Sequence, residues 1–160
     1  MLLMIQIILI GIFATLFMDV IAYIREKLFQ IRSLNYAFLG RWILLWKDGT
    51  LTHENITFVP VVKFERVIGW FFHYLIGIFW VYVYLVLDHL LNFNSLFLSS
   101  ISFSLLTTLI SFLIVQPALG FGFFALKTPN PLISIKNSLL AHLFFGIGLY
   151  LSYLWIRPMF

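Results

Sequence analysis

The sequence predicts an all-α integral membrane protein, a four-transmembrane-helix bundle with an interfacial or re-entrant helix in its first cytoplasmic loop. Three observations predict this class. The chain of 160 residues is 62% hydrophobic and 10% charged, whereas a soluble domain carries roughly 25% charged residues. Its mean hydropathy is +1.05. Its apolar residues fall into four runs, each long enough for the ~20 residues with which an α-helix crosses hydrocarbon. Most of the chain is spent crossing the bilayer, so residues 1–160 are read as a single membrane domain.

The runs are expected over 2–24, 67–87, 96–125 and 135–156. The first opens Met1-Leu2-Leu3-Met4-Ile5 without Lys or Arg. A cleaved secretory signal has a basic start and a small-residue cleavage site, so this run is expected to remain as a helix. The connection 25–66 is too apolar for a simple tether. Ser33 or Asn35 can cap a short helix running to about Trp46. That helix holds one charge, Arg41, and the aromatics Tyr36, Phe38, Trp42 and Trp46. It is too short to span, so an interfacial or re-entrant placement is expected. Lys47-Asp48-Gly49-Thr50 reads as a turn, and 50–59 as loosely extended. Glu65 suits the N-terminus of the second spanning helix. In the third, Pro117 removes a backbone hydrogen bond, so a kink is expected just before it.

Loop charge sets the orientation. The first connection holds Arg25, Lys27, Arg32, Arg41, Lys47, Lys63 and Arg66, and the third holds Lys127 and Lys136. The connection 88–95 has none, and Arg157 alone lies at the remaining end. Positive residues favour the cytoplasmic side, so both termini are expected on the non-cytoplasmic side. The net charge of +4 is explained by topology and forms no polybasic run, so no nucleic acid partner is expected. The absence of cysteine excludes thiolate catalysis and Cys-ligated clusters.

Each run carries one strongly polar residue: Asp19, His73, Gln116 and His142. An ionisable group at the centre of a spanning helix costs roughly 2.5–3.5 kcal/mol on insertion scales. Each shares a helical stripe with small or hydroxyl residues: Gly11, Thr15 and Tyr23; Gly69 and Gly77; Thr108 and Gly120; Ser138, Gly146 and Tyr150. Such stripes face neighbouring helices. Each polar residue lies about 8–12 Å inside its boundary at 1.5 Å per residue. A shared polar site in the cytoplasmic half of the membrane is the expectation. His73 to Ile78 also parallels His142 to Ile147, a faint repeat of the kind a duplicated hairpin leaves.

Several motifs carry a resemblance. They are Ser33-Leu34-Asn35-Tyr36 with Gly40-Arg41-Trp42, Gly69-Trp70 with His73-Tyr74, and Gln116-Pro117 with Gly120 and Gly122. Thr128-Pro129-Asn130-Pro131, and His142 followed by Gly146-x-Gly148-Leu149-Tyr150, complete the set. Together they resemble the DUF2938 family of small bacterial inner-membrane proteins, over nearly the whole chain. The resemblance implies a bacterial four-span protein of the inner membrane and supplies no activity.

Three classes of function fit these residues. In the leading one, a pocket open toward the cytoplasm binds a small solute or ion, and in its stronger form translocates it. Asp19 is then the charge or proton site, His73 and His142 are ligands or relays, and Gln116 orients the ligand. Arg41 would hold a lipid phosphate or reach Asp19. The second class is a membrane redox protein. There, Asp19, His73 and His142 would ligate a divalent metal, or the two histidines would ligate haem. The third is a non-catalytic subunit, pairing with itself or with a membrane complex. No cofactor is the leading expectation, with divalent metal and haem as alternatives. The chain lacks Gly-x-Ser-x-Gly, His-Glu-x-x-His, P-loop and dinucleotide fingerprints, so no enzyme class is assigned. His53 and Glu54 are expected to be solvated, and Asp88-His89 to mark a membrane edge.

Overall fold

The computed structural model describes residues 2–31 and 35–156. Arg32, Arg157 and the alternative cap Ser33 lie outside the described residues. The described residues form six α-helices and no strand: α1 (Leu2–Phe29), α2 (Tyr36–Leu45), α3 (Glu65–Leu91), α4 (Leu96–Ile110), α5 (Gln116–Ala118) and α6 (Pro131–Ile156). A π-helical turn, Ser111–Val115, joins α4 to α5, making one run over Leu96–Ala118. With α1, α3 and α6, that run gives four helices long and apolar enough to cross a membrane. The protein therefore has the all-α, four-span character that its hydropathy predicts.

Boundaries differ from expectation for identifiable reasons. α1 and α3 continue past the apolar runs into charged turns, and α6 begins earlier than expected, at Pro131, where a missing N–H costs nothing. The third run stops at Ala118 rather than at 125. Residues after it are apolar, but Gly120 and Gly122 adopt left-handed φ of 84° and 75°. The carbonyls of Ala118 and Leu119, left open at the helix end, accept the His53 and Ile56 N–H groups, each at 2.9 Å. The same bonds explain why 50–59 is not a strand: its donors serve a helix end instead of a ladder. The π turn lies just ahead of Pro117, and the Gln116 N–H reaches back to the Ser111 carbonyl. Widening that turn accommodates the proline ring against the preceding carbonyls.

The described residues divide into two compact units. One holds 2–31, 74–107 and 140–156; the other holds 35–73 and 108–139. In the first unit, segments of α1, α3, α4 and α6 pack around Ile7, Ile10, Ala14, Val81, Tyr84, Phe103, Phe145, Leu149 and Ile156. Tyr84 is fully buried, and its hydroxyl pairs with Ser99 Oγ at 2.7 Å, as a buried phenol requires. Small residues set the helix spacing. A Cβ on Gly148 would fall 2.8 Å from the Ala14 carbonyl oxygen, so α1 and α6 touch backbone to backbone there. A Cβ on Gly77 would strike Thr15 Oγ1, and one on Gly146 would strike Ser104 Oγ.

In the second unit, α2 crosses the start of α3 at two glycines. A Cβ on Gly40 would collide with the Glu65 carbonyl, and one on Gly69 with the Tyr36 carbonyl. The Asn35 side chain caps α2 by accepting the Ala37 N–H at 3.1 Å. Beside the crossing lies a buried ion pair, with Arg41 Nε 2.7 Å from Glu65 Oε2 and Nη2 2.9 Å from Oε1. Arg41 Nη1 donates to the carbonyls of Ile56 at 2.9 Å and Val59 at 2.6 Å. One guanidinium thus ties α2, α3 and the intervening loop together.

Candidate functional site

In the first unit Asp19, Tyr74, Thr107 and His142 occupy one height. The Ala14 and Gly148 contact gives the reference. Asp19 lies past Ala14 along α1, and His142 lies before Gly148 along the antiparallel α6. The axial offsets are about 7.5 and 9 Å at 1.5 Å per residue, so the two agree to within about 2 Å. On α3, Tyr74 lies one turn from Gly77, and on α4, Thr107 lies one turn from Ser104. Both fall on the same side of the glycine contacts as Asp19 and His142.

Each pair is bonded. The Tyr74 hydroxyl is hydrogen-bonded to the Asp19 carboxylate, joining α1 to α3. Thr107 Oγ1 lies 2.8 Å from His142 Nδ1, joining α4 to α6. Thr107 has one hydroxyl proton, and it donates that proton to the Ser104 carbonyl at 2.6 Å. His142 Nδ1–H must therefore be the donor to Thr107. In the neutral ring this tautomer puts the lone pair on Nε2. Thr15, one turn from Asp19, is fully buried, and its Oγ1 has no hydrogen-bond partner.

The second unit holds the other two expected residues. The His73 ring stacks on Tyr36 at 3.9 Å and 22° and meets Trp70 edge-on at 5.8 Å. Gln116 is buried on the stripe that includes Thr108, Phe112 and Gly120, all of them buried. Its Nε2 donates to Ser138 Oγ at 3.1 Å, and its Oε1 is buried without a partner. Thr108 Oγ1 is likewise buried and unpartnered. Arg41, expected to hold a lipid phosphate or Asp19, is instead engaged by Glu65 and two loop carbonyls. The Glu65 hydrogen bonds raise its pKa above the ordinary arginine value, keeping the charge fixed. His53 is not simply solvated: it is half-buried, and its Nε2 is buried without a partner. A surface depression of about 410 Å³ is lined by His53, Glu54, Asn55, Phe58 and Val59.

Among the described residues, no three or more His, Asp or Glu side chains are grouped so as to hold a metal ion. Asp19, His73 and His142, expected as one ligand set, each have partners within their own unit. Sequence reasoning missed Tyr74 and Thr107. Hydroxyl groups cost little in a spanning helix, so neither stands out by expense. A usable signal was spacing, because each lies one turn from a residue at a glycine contact.

The comparisons with known proteins give a family and no activity. The model of a family described as a protein of unknown function, DUF2938, matches residues 8–156. The chain belongs to that family. No curated protein matches it, and no solved structure does.

Proposed function

We propose that this DUF2938 protein binds a small cation or protonatable solute within the membrane, at the polar level of its first unit. Asp19 supplies the charge, and Tyr74 holds the carboxylate. His142 presents Nε2, with its tautomer set by Thr107. One observation carries the reading: four helices each deliver a polar side chain to a single height, and two of these, Asp19 and His142, are costly to bury in a spanning helix. In the second unit, Gln116 Oε1 offers a buried acceptor, and His73 is held by Tyr36 and Trp70. These two are proposed as ligand-orienting groups of that unit. Arg41 is assigned to architecture. The stronger form of the reading adds translocation. The loop charges support a bacterial inner-membrane location with both termini outside the cytoplasm.

A second reading has its own support. Asp19 with Tyr74, and Thr107 with His142, satisfy one another and would tie helices together without any ligand. The protein would then be a membrane scaffold or subunit, pairing with itself or with another complex.

Thermal unfolding of the purified protein across sodium, potassium, magnesium, manganese and zinc separates the two. A ligand that binds only the folded state at 100 times its dissociation constant adds about 2.7 kcal/mol. The binding reading expects at least one cation to raise the midpoint in wild type and not in Asp19→Asn, with His142→Ala weakening the effect. Identical responses in all three proteins would leave the scaffold reading standing.

A further inference from the structure

The segment between Ile56 and α3 exposes apolar side chains that a water-facing loop would not keep. Phe58 is 87% exposed, Val61 77% and Phe64 63%. They are not loosely held. Arg41 grips the Ile56 and Val59 carbonyls on one side of Pro60. On the other side, Glu65 Oε2 accepts the Val62 N–H at 3.0 Å, and the Glu65 N–H returns to the Val62 carbonyl at 3.1 Å. Phe64 sits at φ 69°, a left-handed conformation that costs a bulky residue free energy. The buried ion pair therefore holds a strained backbone that turns three apolar groups outward.

The exposed charges within 58–66 have one sign, with the exposed Glu54 beside Phe58 in the adjoining depression. Lys63 and Arg66 are exposed, and Lys63 Nζ lies 4.9 Å over the Phe64 ring. The carboxylate between them, Glu65, is buried and neutralised by Arg41. Glu65 itself begins a helix apolar enough to span, which places the segment where hydrocarbon starts. Apolar tips flanked by cations match an interface of acyl chains and anionic headgroups.

We infer that residues 58–66 form a preorganised membrane-interface anchor that selects anionic lipid headgroups. Phe58, Val61 and Phe64 enter the acyl boundary, and Lys63 and Arg66 meet the phosphates. The inference does not depend on ion binding at Asp19, and its test uses no solute.

The chain has no cysteine, so one label can be placed without background. A fluorophore on the Val61→Cys variant, with the protein in vesicles, is quenched by spin-labelled phosphatidylglycerol or by spin-labelled phosphatidylcholine. The expected result is stronger quenching by phosphatidylglycerol. Lys63→Gln or Arg66→Gln should each lower that preference about fivefold, corresponding to about 1 kcal/mol per cation near an anionic surface. Phe58→Ser with Phe64→Ser should shift the label toward a water-soluble quencher. Both cations are exposed, so an unchanged thermal midpoint in Lys63→Gln confirms an intact fold. Equal quenching by the two lipids overturns the headgroup selection. Quenching from water as strong as that of a label on the Thr52→Cys variant overturns the anchor itself.

Discussion

The two units hold their helices together by different physics. In the first, the contacts are steric: Gly148 on Ala14, Gly77 on Thr15 and Gly146 on Ser104, around a core of Ile, Val, Leu and aromatic side chains. In the second, a guanidinium and a carboxylate meet at 2.7 Å, and loop N–H groups close a helix end. The difference follows from the backbone each unit contains. Hydrocarbon gives helices no hydrophobic reason to associate, so close approach and dispersion must do it. The loop segments of the second unit have irregular backbone, whose buried polar groups must be paired. The first unit should therefore respond mainly to volume, and the second to charge and hydrogen bonding as well as to volume at its Gly40 and Gly69 crossing.

The largest effect expected from that contrast is at the ion pair. Glu65→Ala leaves Arg41 buried and half-satisfied, and breaking such a pair costs about 3–5 kcal/mol. Its thermal midpoint in detergent should fall further than that of any single change in the first unit. Replacing both partners, Arg41→Met with Glu65→Leu, removes the uncompensated charge and should recover much of the loss. A double variant as unstable as Glu65→Ala would show that the loop carbonyls, not the pair, are what Arg41 serves.

Next in size are the glycines at the α2 and α3 crossing. A Cβ at Gly69 meets backbone, which cannot rotate away. Gly69→Ala should cost about 2–3 kcal/mol, the upper part of the overpacking range. Gly77→Ala and Gly146→Ala meet side-chain hydroxyls instead, so about 1–2 kcal/mol is expected. The steric account is sharpened by rescue: Thr15→Ala should restore Gly77→Ala, and Ser104→Ala should restore Gly146→Ala, in the same unfolding assay. Failure of both rescues would show that the hydroxyls are not the obstruction.

The four-span fold was legible because hydropathy is a property of composition, and the chain spends its length on it. The heights of Asp19 and His142 were legible for a related reason: burying either is expensive, and the expense marks the residue. Partners were less legible. Tyr74 and Thr107 are two among many hydroxyl residues. Arg41 with Glu65 is a pair of long sequence separation, and no local spacing announces it. The early end of the third run at Ala118 was hidden because Leu119 to Ala125 has the composition of a helix, while two left-handed glycines give it the backbone of a turn.

The smallest expected effect probes the polar level itself. Hydrogen bonds between membrane helices average about 0.6 kcal/mol in double-mutant cycles, with a maximum near 1.7. Thr107→Val keeps the shape of the side chain and removes the acceptor for His142 Nδ1–H. Stability should fall by about 0.5–1.5 kcal/mol, less than for any change above. The informative measurement is nitrogen NMR of the imidazole. In wild type, the Thr107 bond holds the proton on Nδ1. In Thr107→Val, the two ring nitrogens should become populated as donors more evenly. An unchanged tautomer with unchanged stability would mean that His142 is oriented by something other than Thr107. The Asp19 and Tyr74 bond would then be the polar tie that remains at that height.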